Sequence, residues 1–215
     1  MNTDAITIRA RQVQAIQARL AGWAMGVPMP PNHAPDRHHI GYQEFGLSFH
    51  HSASIASHLE RHGPDLAASA FALVRPMYET LQRGWWFTLC ATDAQAAIFV
   101  NNDQFRGGSL VQVATAIEEH PPFAGTGFFS GFAQKEWGLY HSFTHGGRAA
   151  LEVYGHRPNL DPNFDPATII AVLDNVSRMS AVATMGMCWV SRIYDAARAD
   201  PIYQEVLALA PYLEN

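Results

Sequence analysis

A chain of 215 residues with 48% hydrophobic content can bury one sizeable core and is short for two, so a single domain over residues 1–215 is expected. Only 15% of its residues are charged, against about 25% in typical domains, which excludes a disordered polyelectrolyte and a charged coiled coil. The net charge of −5 excludes a nucleic-acid backbone as the main partner, because binding to phosphates is driven by counterion release at basic side chains, and leaves room only for a local basic patch.

In chain order, Asp4 to Met25 carries Ile8, Val13, Ile16, Leu20 and Trp23 at mixed three- and four-residue intervals, the pattern of an amphipathic first helix. The start of the chain lacks a basic stretch followed by an apolar one, so no secretory leader is expected. Gly26 to Gly41 holds Pro28, Pro30, Pro31 and Pro35 and reads as an extended proline-rich loop. Helical spacing resumes from Tyr42 to Arg61 and breaks at Gly63-Pro64. Asp65 to Cys90, apolar nearly all round, is the expected central helix, followed by shorter pieces over Asp93 to Asn101 and Leu110 to His120, the latter opened by Ser109 as N-cap. Pro121 to Gly131 is an irregular, phenylalanine-bearing loop expected to pack against the bundle. Phe132 to Tyr154 reads as a helix interrupted or bent near Gly146-Gly147. After a proline-rich linker, Asp165-Pro166 signals the start of a helix over Thr168 to Arg198, and a terminal helix runs from Pro201 to Leu213. Cys90 and Cys188 lie in apolar runs, so free thiols in a reducing cytoplasm are expected, not a disulfide framework. The uncharged run between Arg178 and Arg192 falls short of the roughly 20 residues that span a bilayer, so no membrane partner is expected. No alternation demands a strand. The expected fold is all-α, a single-domain bundle of roughly five to eight helices, with a core motif region over 42–155 and C-terminal helices over 166–213.

Two segments carry polar residues on apolar helices. In Leu73-Val-Arg-Pro-Met-Tyr-Glu-Thr-Leu-Gln-Arg, the residues Arg75, Glu79 and Arg83 follow one another at intervals of four and lie along one stripe. Arginine and glutamate are seldom buried unless paired, so the stripe is either an ion-pair network that sets helix register or a site in which Arg75 grips an anion and Glu79 serves as a base or ligand. Pro76 lacks a backbone donor, should bend the helix, and frees the carbonyl near Ala72 for another partner. In Tyr140-His-Ser-Phe-Thr-His-Gly-Gly, His141 and His145 are four apart and face one way, the spacing of a metal-binding helix. Ser142 stands where a zinc protease needs glutamate, which removes that reading. His51, His58 and His62 share a third face, and a solvated face accounts for them as well as a metal does. Phosphate-loop, dinucleotide, nucleophile-elbow and Cys-x-x-Cys signatures are missing from the chain.

The motifs Leu73-Val-Arg75-Pro76-Met-Tyr-Glu79 and Ser142-Phe-Thr-His145-Gly146-Gly147 resemble those of a group of bacterial helical proteins similar to AbiV-type abortive-infection proteins and, more remotely, to HEPN-like domains. The resemblance covers roughly residues 45–150. It implies a homodimeric, defence-related or regulatory module acting on a nucleotide or RNA, some relatives being ribonucleases. HEPN ribonucleases carry an arginine a few residues ahead of a catalytic histidine, and no arginine here stands so placed on a predicted helix; Arg75 and His145 would have to meet from different helices.

Three readings follow. In the first, Arg75, Glu79 and His145 form a catalytic centre, with Arg83, His141 and Thr144 binding the nucleotide or RNA, at a cavity open to solvent; no metal and no particular cofactor is assigned. The second is a metal-dependent hydrolase built from His50, His51, His58, His62, Glu79, His141 or His145. The third is a non-enzymatic scaffold or antitoxin-like protein that meets a protein partner through the phenylalanine-rich 121–132 loop or an aromatic helix face.

Overall fold

The computed structural model describes residues 2–135, 137–155 and 163–209, the side chains of residues 2, 3 and 135 excepted. Among these residues every regular element is helical: α1 (Asn2–Ala24), α2 (Asp36–His62), a 3-10 turn at Gly63–Leu66, α3 (Ala67–Ala72), α4 (Val74–Leu89), α5 (Asp93–Asn102), α6 (Leu110–Ile117), α7 (Phe128–Lys135), α8 (Trp137–Thr144), α9 (Arg148–Glu152) and α10 (Pro166–Leu207). The fold is all-α, as the apolar spacing requires. Helices α1, α2, α4 and α10 pack on one another as the bundle; of the short helices, α5 packs on α2, α6 on α4 and α8 on α3 and α4, while α7 packs on α6 and α8, and α9 on α8.

Helix α2 begins at Asp36, earlier than expected, because the run of prolines ends at Pro35 and Asp36 places a carboxylate in the first turn. Side-chain capping starts the helices the spacing located: Ser109 and Gln112 form a capping box on α6, Thr92 and Gln95 do so on α5, and the Asp165 carboxylate accepts from the Ala167 amide ahead of α10.

The bundle is tightest where α2, α4 and α10 meet. Phe45 is fully buried, its ring lies across Trp85 with centroids 5.1 Å apart, and it occupies the space that a side chain at Gly84 or Gly186 would need. A Cβ at Gly84 would come within 2.6 Å of the Phe45 ring, and one at Gly41 would reach the Thr88 hydroxyl at 2.5 Å. Glycine at these positions sets the separation and register of α2 against α4. A buried chain of polar groups joins the other faces: the Gln17 amide donates to the Ser180 hydroxyl at 3.1 Å, which lies 2.8 Å from that of Ser52.

Helix boundaries differ from the expected ones at three places. The central helix expected over Asp65 to Cys90 starts at Ala67, after the 3-10 turn, and its interruption ahead of Pro76 falls at Leu73, which keeps right-handed helical dihedrals (φ −84°, ψ −13°) between α3 and α4. The helical segment expected over Phe132 to Tyr154 starts earlier, at Phe128, and is divided into α7, α8 and α9; the interruption expected near Gly146-Gly147 falls between α8 and α9, where Gly146 takes the left-handed conformation, φ 64°. The two expected C-terminal helices are present within α10: they meet at Asp195 (φ −149°, ψ 74°), slightly earlier than expected, where the Asp195 carboxylate accepts from the Arg198 amide at 3.2 Å and restarts the helix ahead of Pro201. The rest of the expected linker (156–162) and the end of the expected terminal helix (210–213) lie outside the described residues.

The phenylalanine-rich loop packs inward as expected. Phe123 and Phe129 are buried, Phe123 lies edge-on to Trp85 at 4.7 Å, and the Glu118 carboxylate accepts from the Phe129 and Ser130 amides at 2.7 and 2.9 Å, capping α7. The Phe123, Phe129 and Phe132 rings belong to the core, Phe128 is half-buried, and Ala124 to Gly127 stay exposed.

Candidate functional site

Pro76 has no N–H to offer the Ala72 carbonyl one turn back, and that carbonyl accepts instead from the Thr144 hydroxyl at 3.1 Å. Thr144 also reaches the Tyr140 carbonyl at 2.9 Å. This bond docks α8 on the α3–α4 junction and carries His141 and His145 to Arg75. Replacing Thr144 with Val is expected to lower stability by about 1 kcal/mol, measured by urea denaturation; an unchanged midpoint would show that water replaces the hydroxyl without cost.

Arg75 is the hub of the contacts that follow. Its Nε and Nη2 lie 3.0 Å from Glu79 Oε1, and its Nη1 donates to His141 Nδ1 at 2.5 Å and to His145 Nε2. The Trp137 ring lies over the guanidinium, 4.8 Å from its centroid. A guanidinium has no acceptor, so the two ring nitrogens facing it must be bare: His141 carries its proton on Nε2 and His145 on Nδ1. Arg75, Glu79, His141 and His145 therefore converge from α4 and α8, and Arg75 and His145 meet from different helices.

Beside this cluster is a cavity of about 300 Å³. Along one wall α4 supplies Arg75, Glu79, Gln82 and Arg83; Phe105, Leu110 and Val113 face them, and Trp137 stands at the edge. The wall opposite α4 is held by glycines: a Cβ at Gly107 would strike the Phe105 ring at 2.5 Å, and Gly108 has φ 94°, a left-handed conformation that brings the chain into the turn ahead of α6. His141, His145 and Thr144 do not line the cavity; they act on it through Arg75 and through the seating of α8.

Two cavity residues are without ordinary partners. Arg83 is half-buried, its guanidinium 5.4 Å over the Phe105 ring, and among the described residues it makes neither a hydrogen bond nor an ion pair. Gln82 is 1% exposed, and among the described residues neither its amide nitrogen nor its amide oxygen has a partner. Glu44 on α2, which lines a different cavity with Ile40, Leu47 and Phe99, is buried, its Oε2 without a partner among the described residues; burial pushes its carboxyl up to about 7, against the opposing pull of Arg83 and with a further push from Glu79.

Glu44, Gln82, Phe105 and Trp137 are the residues that sequence reasoning passed over. Gln82 had a signal, because it lies seven positions from Arg75 and three from Glu79 on the same stripe. Glu44 had none: only the packing of α2 on α4 brings it near Arg83. The histidine faces expected as metal ligands do not assemble, since among the described residues no three histidine, cysteine or acidic side chains are grouped to hold an ion. His58 and His62 face each other with ring centroids 5.6 Å apart, and burial lowers the His51 pKa.

A family model matches residues 45–206. The chain belongs to the DUF6988 family. This is a family of unknown function, and the matched span runs from within α2 to near the end of α10, so it contains both motif segments and every residue lining the cavity. The DUF6988 match leaves out α1 and the proline-rich segment after it. No curated protein and no solved structure shows significant similarity to the chain. Among the described residues no helix is long and apolar enough to cross a membrane.

Proposed function

We propose that this chain is a cytoplasmic binding module for a nucleotide or an RNA end, held in the cavity between α4 and the segment from Phe105 to Val113. The observation that carries this reading is Arg83: a cation without a carboxylate or hydrogen-bond partner among the described residues, on the wall of a cavity that also has aromatic surfaces. Arginine left free in such a place suits a phosphate, which its planar fork grips through paired hydrogen bonds. Phe105 and Trp137 offer faces for a planar base, and Glu79, facing the cavity from its pair with Arg75, offers a carboxylate to sugar hydroxyls. The cavity volume is at the lower bound of small-ligand sites, about 300 Å³, the scale of a mononucleotide.

In this reading Arg75, with His141 and His145 behind it, positions Glu79 and Trp137, because both imidazoles already accept from Arg75 and neither lines the cavity. The geometry therefore supports binding over cleavage, and the regulatory or defence-related setting and the homodimer follow from the resemblance to AbiV-type and HEPN-like proteins. Sedimentation velocity of the purified chain measures the dimer directly.

Isothermal titration with nucleoside 5′-monophosphates and a short 5′-phosphorylated RNA is expected to show saturable binding. Replacing Arg83 with Ala is expected to weaken it tenfold or more, since charge-assisted contacts contribute about 1.5–3 kcal/mol. Saturable binding unaffected by the substitution would move the phosphate elsewhere, and no binding by any of these ligands would refute the reading.

A further inference from the structure

Gln82 raises a question that the phosphate contact leaves open. It lies at the cavity wall, is 1% exposed, and both of its amide atoms are without partners among the described residues. Buried side-chain amides in native proteins are nearly always hydrogen-bonded, so one left wholly unpaired beside a cavity is a candidate for pairing with what enters it. The second observation is its neighbour: Arg83, the next residue along α4, also lacks a polar partner among the described residues and lines the same cavity. A primary amide presents one donor and one acceptor side by side. Its complement is a flat edge carrying an adjacent acceptor and donor, which is what the edge of a nucleobase offers and what a bare phosphate, a sugar or a fatty chain lacks. The aromatic walls at Phe105 and Trp137 suit the faces of the same flat group.

We infer that Gln82 is the specificity-determining residue of the cavity, pairing through both amide atoms with the base of a nucleotide whose phosphate meets Arg83. This rests on the nucleotide reading above and deepens it, by separating a contact that holds any phosphate from one that selects a base-bearing ligand. It also accounts for a polar residue being kept where an apolar one would pack without an unpaired donor and acceptor. Methionine is nearly the same length and has no amide, so Gln82→Met is expected to raise the melting temperature of the ligand-free protein while weakening base recognition.

The test is calorimetric titration of the wild-type chain and of Gln82→Met with adenosine, guanosine, cytidine and uridine 5′-monophosphates and with ribose 5-phosphate, which carries the phosphate and sugar alone. The wild type is expected to bind at least one nucleotide about tenfold or more tightly than ribose 5-phosphate, the scale of a bidentate amide–base pair. Gln82→Met is expected to lose that advantage and to bind ribose 5-phosphate as the wild type does. If the wild type binds nucleotides and ribose 5-phosphate equally, or if Gln82→Met keeps the preference, the inference is overturned and the phosphate site stands. If the wild type binds none of the five ligands, the nucleotide reading fails and the inference falls with it.

Discussion

Replacing Phe45 with Ala is expected to destabilise the fold by about 3–5 kcal/mol, the range for deleting a fully buried aromatic ring whose space cannot collapse. Collapse is blocked here because the ring occupies the notch between α2, α4 and α10 that Gly84 and Gly186 leave open, and Trp85 and the helix backbones around it are held by other contacts. Urea denaturation followed by circular dichroism reads the loss directly. The neighbouring Gly46 is the control: a Cβ there meets nothing within 4 Å, and Gly46→Ala is expected to be neutral or to stabilise the helix by up to about 1 kcal/mol. A Phe45→Ala loss near 1 kcal/mol would mean that the three helices close over the gap, and that the register of α2 on α4 does not depend on this wedge.

The second large effect concerns the buried carboxyl of Glu44 on α2. Glu44→Gln is expected to stabilise the protein by about 3 kcal/mol at most above pH 7 and to leave it nearly unchanged at pH 4. The sign follows from a folded-state carboxyl raised from 4.5 to about 7, chiefly by burial. Below pH 4.5 the group is protonated in the folded and unfolded chains alike, and nothing is lost. As pH rises towards 7 the unfolded chain releases this proton while the folded one retains it, so stability falls across that interval and stays low above it. A glutamine is neutral throughout, so the difference between the two proteins should open between about pH 4.5 and 7. Denaturant midpoints at pH 4, 6 and 8 measure it; an equal difference at all three would assign the effect to packing and not to ionisation.

The legible part of this protein was what local chemistry controls. Apolar spacing located the helices, Ser109 and Asp165 marked two of their starts, and the four-residue intervals of Arg75, Glu79 and Arg83 put these side chains on one stripe of α4. Pro76 even announced a carbonyl in need of a donor, and Thr144 supplies it. Proline and glycine showed that helices are interrupted ahead of Pro76, at Gly146 and ahead of Pro201, and the surrounding packing decides at which residue each break falls, Leu73 and Asp195 among them.

The sequence by itself determined an all-helical chain with an unusual polar stripe on an apolar helix, because helix periodicity and the scarcity of buried charge are properties of neighbours along the chain. Only the tertiary structure decided which members of that stripe are satisfied. Arg75 is enclosed by Glu79, His141, His145 and Trp137, whereas Arg83 and Gln82 are left facing a cavity. That distinction depends on where α8 and the turn at Gly107-Gly108 come to rest against α4. Those are contacts between residues far apart in sequence, on which local periodicity has no bearing.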